Sequence, residues 1–406
     1  GRGVQGSLLV SAKNLDITGG GIISPTHGNR IGSSIEIHAD HLTTRPGTRP
    51  GGTLGEPLIL DPTDPTRVVI SSSSTGSGGA GAISITGEGG PMPEGTPFPP
   101  ASSINLVGTS METDTRVDAL GGKIELKASG PIRLENTTIS SNVNNVRPQS
   151  ANTQDQGGNI DVSAGTLIMH RSGISAVSSG TQNGGNIVVS GQESITLGPG
   201  STISASNTGG ANAGNVSIKA GSQFLSQNAS VTAQALHGSG GNITVQAKDS
   251  IRLLNSQVST SVQGGPHTTG GNILLDPAVV TLQNSQVTAQ ALQGQGGNIN
   301  IIAGTFLADQ TSLVSASSQF GLSGTVNVQS PVSSLSNTLA TLPQRPLQAQ
   351  PLAQQRCAAQ AHGQLSSFVV EGRDRLPSEP GGWLMSPFLS ADASTRLHAE
   401  TAHRER

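Results

Sequence analysis

The sequence predicts an all-β chain: a right-handed parallel β-helix, or three-sided β-solenoid, of about 10 coils of ~27 residues with a loop-rich C-terminal tail. Three observations carry this. A Gly-Gly-Asn-Ile motif, in full or as a near variant, recurs with its Asn at Asn159, Asn186, Asn215, Asn242, Asn272 and Asn298, and Thr325 stands in the equivalent place after Gly324. The intervals are 27, 29, 27, 30, 26 and 27 residues. Each interval holds three short runs of alternating apolar and polar residues, the period of a strand with one face buried. Finally, the composition is that of stacked strands and tight turns: 55 glycines, no tyrosine, 2% aromatic and 12% charged residues in 406. A compact globular core draws on large aromatics. A disordered chain combines low hydrophobicity with high charge, whereas this one is 33% hydrophobic and sparsely charged.

One unit shows the elements in order. Asn242-Ile-Thr-Val-Gln-Ala247 alternates, Ser250-Ile-Arg-Leu-Leu-Asn255 alternates again, and Gln257-Val-Ser-Thr-Ser-Val262 follows before a Gly-rich turn restarts the pattern. Strands of about 5 residues are typical, so three strands and three turns account for the period. Stacking the units aligns Ile160, Ile187, Val216, Ile243, Ile273 and Ile299 in one apolar column. Val162, Val189, Ile218, Val245, Leu275 and Ile301 form a second, and Ile139, Ile174, Ile203, Val231, Val258 and Val287 a third. Weaker copies of the motif start at Ser7, Ser34, Ala82 and Lys123. A β-sandwich array would need a much longer period and aromatic cores. Leucine-rich repeats share the period but need a leucine consensus and a helix, and neither is present.

The repeats span 1–330, with Pro-rich insertions at 43–66 and 87–102 that read as surface loops. A Ser-, Leu-, Gln- and Pro-rich linker is expected over 331–356, and a tail or cap motif over 357–406. The chain opens on Gly1 inside what reads as a repeat, which is expected of a fragment of a longer protein.

Several function classes are disfavoured. The net charge of −3 is spread thinly, with no basic stripe for nucleic acid. No apolar run is long enough for a membrane span. A lone cysteine, Cys357, excludes a disulfide framework and a multi-cysteine zinc site. His38 and His41 lie close together without a partner cluster, so no metal or other cofactor is expected. Polysaccharide lyases and hydrolases need carboxylates converging on one face. The outward position between the first two apolar columns reads Asp161, Val188, Ser217, Thr244, Leu274 and Asn300, with one acid, so the chain is not expected to be an enzyme. The Asn column is read as a structural amide ladder rather than a ligand contact. Ser140, Ser175, Ser204, Thr232, Ser259 and Thr288 form a hydroxyl column on the third strand. Such a column either solubilises the sheet face or binds a glycan or another surface.

The chain resembles the filamentous-haemagglutinin-like exoproteins of two-partner secretion. The resemblance rests on the Gly-Gly-Asn-Ile repeat with its Ser-Ile-x-Leu and Ser-x-Val-Ser-Ala companions, over roughly Ser7 to Gln329. It rests also on a tail of Cys357, then Ser366 to Arg373 (Ser-Ser-Phe-x-Val-x-Gly-Arg), then Leu376-Pro377. The family tail reads Gly-Arg-Gly-Gly-Leu-Pro, and this chain has Gly-Arg-Asp-Arg-Leu-Pro instead. The resemblance implies export through an outer-membrane β-barrel partner and a secreted or cell-surface location. It also implies an adhesin-like rod that attaches to host cells, neighbouring cells or glycans. The family's amino-terminal secretion domain is not in this sequence. A polysaccharide-acting β-helix enzyme and the stalk of a secreted toxin are the alternatives.

Overall fold

A computed structural model describes residues 6–27, 31–47, 66–76, 78–89, 96–115, 121–144, 158–180 and 182–333, and the pairs 360–361 and 364–365. These residues form a parallel β-solenoid of ten stacked coils, with no helix among them. Third strands, from Gly21–Ile23 to Leu313–Ser315, make one 10-stranded sheet. First and second strands together make an 18-stranded sheet. Every pairing between coils is parallel and joins a strand to its counterpart one coil away. At about 4.8 Å per coil the stack is roughly 50 Å long.

The apolar columns fall in register as the repeat requires. Ile160, Ile187, Val216, Ile243, Ile273 and Ile299 are successive ladder partners. The third-strand column extends upstream through Met111, Ile70 and Ile22. Nearly all of these side chains are fully buried in one continuous core. The weak copies align too: Ser7 opposes Ser34, and Ile35, Ile83, Ile124 and Ile160 pair in turn. Burial fades at the two ends of the stack, where the inward-facing Leu8, Val326 and Val328 are exposed, because a terminal coil has a neighbour on one side only.

Three details depart from the sequence reading. In four coils the first two strands run on as one, as in Ile160–His170 and Ile187–Leu197. Coils with Gly221-Ser222, Lys248-Asp249 or Pro277-Ala278 at this place break instead. The strand Ser34–Arg45 includes Thr43, so the first insertion departs after Arg45. Glycine supplies positive φ at the least steric cost, yet the described glycines of the Gly-Gly-Asn-Ile turns do not adopt it. Among the described residues the glycines with positive φ are Gly19, Gly20, Gly108 and Gly200.

Positive φ is needed elsewhere, at the corner between the second and third strands. There Gly108, Asn136, Arg171, Gly200, Asn228, Asn255 and Asn284 stack. Asn tolerates this left-handed conformation through its short polar side chain. Arg171, with φ 48°, is the misfit of the column. Arg171→Asn is expected to stabilise the chain by about 1 kcal/mol, read by thermal or denaturant unfolding. An unchanged or lower stability would show that the Arg171 side chain earns its place by contacts.

Just beyond this corner a row of hydroxyls turns inward: Thr109, Thr137, Ser172, Ser201, Ser256 and Ser285 are all buried. Such groups are tolerated when bonded, as all of these are except Ser201 Oγ. Ser256 Oγ donates to the Leu254 carbonyl (2.8 Å) and accepts the Ala229 N–H (3.3 Å), and Ser285 Oγ accepts the Ser256 N–H (3.1 Å). Later in the chain, in a separate unit, Gln360–Ala361 and Gln364–Leu365 pair as a short antiparallel ladder. Cys357, Trp383 and the Ser366 to Pro377 motif lie outside the described residues.

Candidate functional site

The Asn column is tied by side chain to backbone, coil by coil. Asn159 Oδ1 accepts the Asn186 N–H, Asn186 Oδ1 the Asn215 N–H and Asn215 Oδ1 the Asn242 N–H, each at 2.9 Å. The series continues through Asn272 and Asn298 to Thr325. In return, each following Ile or Val N–H donates to the Asn carbonyl one coil on, as Ile187 does to Asn215. Amide-to-amide bonding joins Asn215 Nδ2 to Asn186 Oδ1 at 3.2 Å. The carbonyl oxygens of these side chains are therefore committed to the neighbouring coil.

The hydroxyl column is not the flat, solvent-facing ladder that alternation suggests. Ser259 and Thr288 are buried, and Ser140, Ser175, Ser204 and Thr232 are half-buried. An extended strand separates residues two apart by about 6.5 Å. Here their oxygens touch: Ser204 to Ser206 at 3.0 Å, Ser259 to Ser261 at 3.2 Å, and Ser315 to Ser317 at 3.0 Å. The chain bends at this point, concave outward, and folds the hydroxyls against each other. Gln234 and Gln290 then reach across to Ser259 and Ser315. Ser175 Oγ donates to Asn142 Oδ1 at 2.8 Å.

Alternation in single units hides what register reveals: the same corner carries two acids. Glu112 pairs with Ser140 in the ladder, and Asp114 lies two residues on. Ser110 donates to Glu112 Oε1 and lies 3.1 Å from Thr138 Oγ1, which accepts from Arg67 Nη2 at 3.2 Å. Asp114 Oδ1 accepts the Asn142 N–H at 2.7 Å. Burial holds the Asp114 carboxyl above its ordinary range; hydrogen bonds from Asn142 and Ser140 oppose this, and the Glu112 charge adds to the rise. A raised carboxyl binds its proton more tightly folded than unfolded, so stability falls as pH climbs from the ordinary 3.8 through the raised value. Asp114→Asn keeps an oxygen for the Asn142 N–H and removes the charge. It is expected to raise Tm at pH 7 and to abolish that decline, and a lower Tm at pH 7 would contradict this account.

A second cluster corrects the finding of a single acid on the first strand. In register, Glu36, Ser84, Glu125 and Asp161 are successive neighbours in one outward column. The copies upstream of Asn159 are irregularly spaced, which conceals the alignment in the sequence. Lys123 bridges Glu125 (3.2 Å) and Asp161 (2.9 Å), and Lys127 reaches Glu125 (3.0 Å). Burial alone would raise Glu125, but the hydrogen bonds and charges of Lys127 and Lys123 outweigh it and hold the carboxyl below its ordinary range.

Beside this column sits His38, buried, with Nδ1 2.7 Å from Thr86 Oγ1. Phe98, on the return limb of the second insertion, stacks on the imidazole with ring centroids 3.6 Å apart and planes at 20°. Together with Pro97, Ser34, Ser84, Glu36, Glu125 and Lys127 they line a cavity of about 280 Å³. His41 faces elsewhere, with Nδ1 2.9 Å from Ser103 Oγ. Among the described residues, no three His, Cys, Asp or Glu side chains are grouped to hold a metal ion.

These features define a parallel β-solenoid repeat protein, a class compatible with the exoprotein resemblance. No protein-family model, no curated protein and no solved structure matches the chain.

Proposed function

We propose that this chain is an adhesin-like structural rod of a secreted or cell-surface bacterial protein, attaching to host cells, neighbouring cells or glycan surfaces. An outer-membrane β-barrel partner for its export follows from the family resemblance. The observation that carries the reading is the continuous stack of ten coils, in which main-chain ladders link each coil to the next and the Asn column adds a second tie from Asn159 onward. Such nearest-neighbour architecture makes an extended body with broad lateral faces. Long side-chain ladders commit the polar groups of these faces to holding the rod together, which suits a spacer better than a machine. Beads coated with the 406-residue protein are expected to be retained on cell monolayers or glycan-coated surfaces above beads coated with albumin. Equal retention on every surface would remove the adhesive reading.

A polysaccharide-acting enzyme is the second reading, favoured by the Glu36, His38 and Glu125 cluster. Release of reducing ends or unsaturated products from a polysaccharide panel would displace the rod reading in its favour.

A further inference from the structure

The cavity beneath Phe98 has an unusual polar arrangement. His38 is 4% exposed, and its Nε2 has no hydrogen-bond partner. Its nearest acidic atom, Glu36 Oε2, is 3.7 Å away, past hydrogen-bond reach. Buried polar atoms are ordinarily bonded, and one left over in a cavity wall is a group suited to a ligand. Phe98 covers the imidazole but remains 43% exposed itself. Glu36 and Glu125 supply acceptors, Lys127 a donor, and Ser34 and Ser84 hydroxyls of either sense.

We propose that this cavity binds a neutral sugar residue of a polysaccharide. A pyranose ring has an apolar C–H face and a rim of hydroxyls that both donate and accept. Pro97 and the exposed part of Phe98, whose other face lies on His38, match the first, and the carboxylates, Lys127 and His38 Nε2 match the second. The cavity, about 280 Å³, lies just below the usual range for ligand pockets and so suits a single sugar ring. Two carboxylates against Lys127 disfavour phosphates and uronic acids. A cation is disfavoured because Glu125 is already engaged by two lysines. The assignment stands on the cavity and does not depend on the adhesive reading.

The test is saturation-transfer difference NMR on the full 406-residue protein with cellobiose, maltose, lactose and N,N′-diacetylchitobiose, and glucuronic acid as the charged control. At least one neutral disaccharide is expected to give a saturable signal, and glucuronic acid none. Phe98→Ala and Glu36→Gln, both at exposed or half-exposed positions and checked for fold by circular dichroism, are each expected to weaken it by at least about tenfold. Absence of binding by all four disaccharides, or binding that both variants leave intact, overturns the assignment. Bead retention is a separate readout, so a chain that adheres yet ignores these sugars loses the cavity assignment alone.

Discussion

Gly241→Ala is expected to open the middle of the solenoid, costing about 3 kcal/mol or more. Gly241 belongs to a column with Gly122, Gly214, Gly271, Gly297 and Gly324, each packed against the carbonyl of its counterpart one coil earlier. A Cβ on Gly241 would fall inside the van der Waals shell of the Gly214 carbonyl oxygen, with the Gly214 carbon close behind. Both are main-chain atoms held by ladder bonds on either side, so no flexible group can yield. The two coils must separate, which strains the bonds from Val216 N–H to the Asn242 carbonyl and from Asn242 N–H to Asn215 Oδ1. Stability in such stacks is a sum of neighbour terms, so the damage is local. Amide exchange at Val216 and Asn242 is expected to accelerate by roughly a hundredfold, the equivalent of about 3 kcal/mol, while Ile124 exchanges as before. Gly210 is the control: a Cβ there meets nothing within 4 Å, and Gly210→Ala is expected to stay within about 0.5 kcal/mol. If the two variants exchange alike, close backbone stacking is not why glycine occupies the column.

That column shows what the sequence discloses and what it hides. Recurrence of Gly-Gly-Asn-Ile fixes the period, and period-2 alternation fixes which residues turn inward. Hence the apolar columns from Ile160 to Ile299 were legible residue by residue. The purpose of the glycines was not, because a turn that needs positive φ and a close approach that excludes Cβ leave the same letter in the sequence. The left-handed corner escaped for a related reason. Its occupants, Gly108, Asn136, Arg171 and Gly200, share no side-chain chemistry, and their equivalence appears only once the third strands are in register. The two polar clusters were concealed by the insertions. Intervals swollen by extra residues break the visual alignment of Glu36, Ser84 and Glu125, although the ladder restores it. Phe98 lies far from His38 along the chain, and only the folding-back of the insertion stacks the rings. Alternation correctly separates in from out along a straight strand. It cannot report a bend, so hydroxyls at the concave corner that alternation assigns to open solvent are bonded to one another.

Phe224→Ala is expected to cost about 3 to 5 kcal/mol, the range for deleting a buried aromatic. Among the described residues Phe224 is the fully buried aromatic side chain, set between Ile195 and Ile251 in a column otherwise aliphatic at the neighbouring coils. Its ring fills more of the interior than either neighbour. Removing it leaves a void that the stack closes only by drawing two paired sheets together, and their ladders resist that. Phe224→Leu restores most of the volume and is expected to lose roughly 1.5 kcal/mol or less. Phe320→Ala, at a position 72% exposed, is expected to change little. Guanidinium unfolding followed by circular dichroism separates the three. A long array need not unfold in one step, so the slope of the transition is read with its midpoint. A broader transition in Phe224→Ala would mean that the coils on either side of the void unfold independently, which is the behaviour of a one-dimensional stack. A sharp transition shifted as a whole would mean instead that the ten coils act as one cooperative body. In that case the interior column, rather than the exposed Asn ladder, is what couples them.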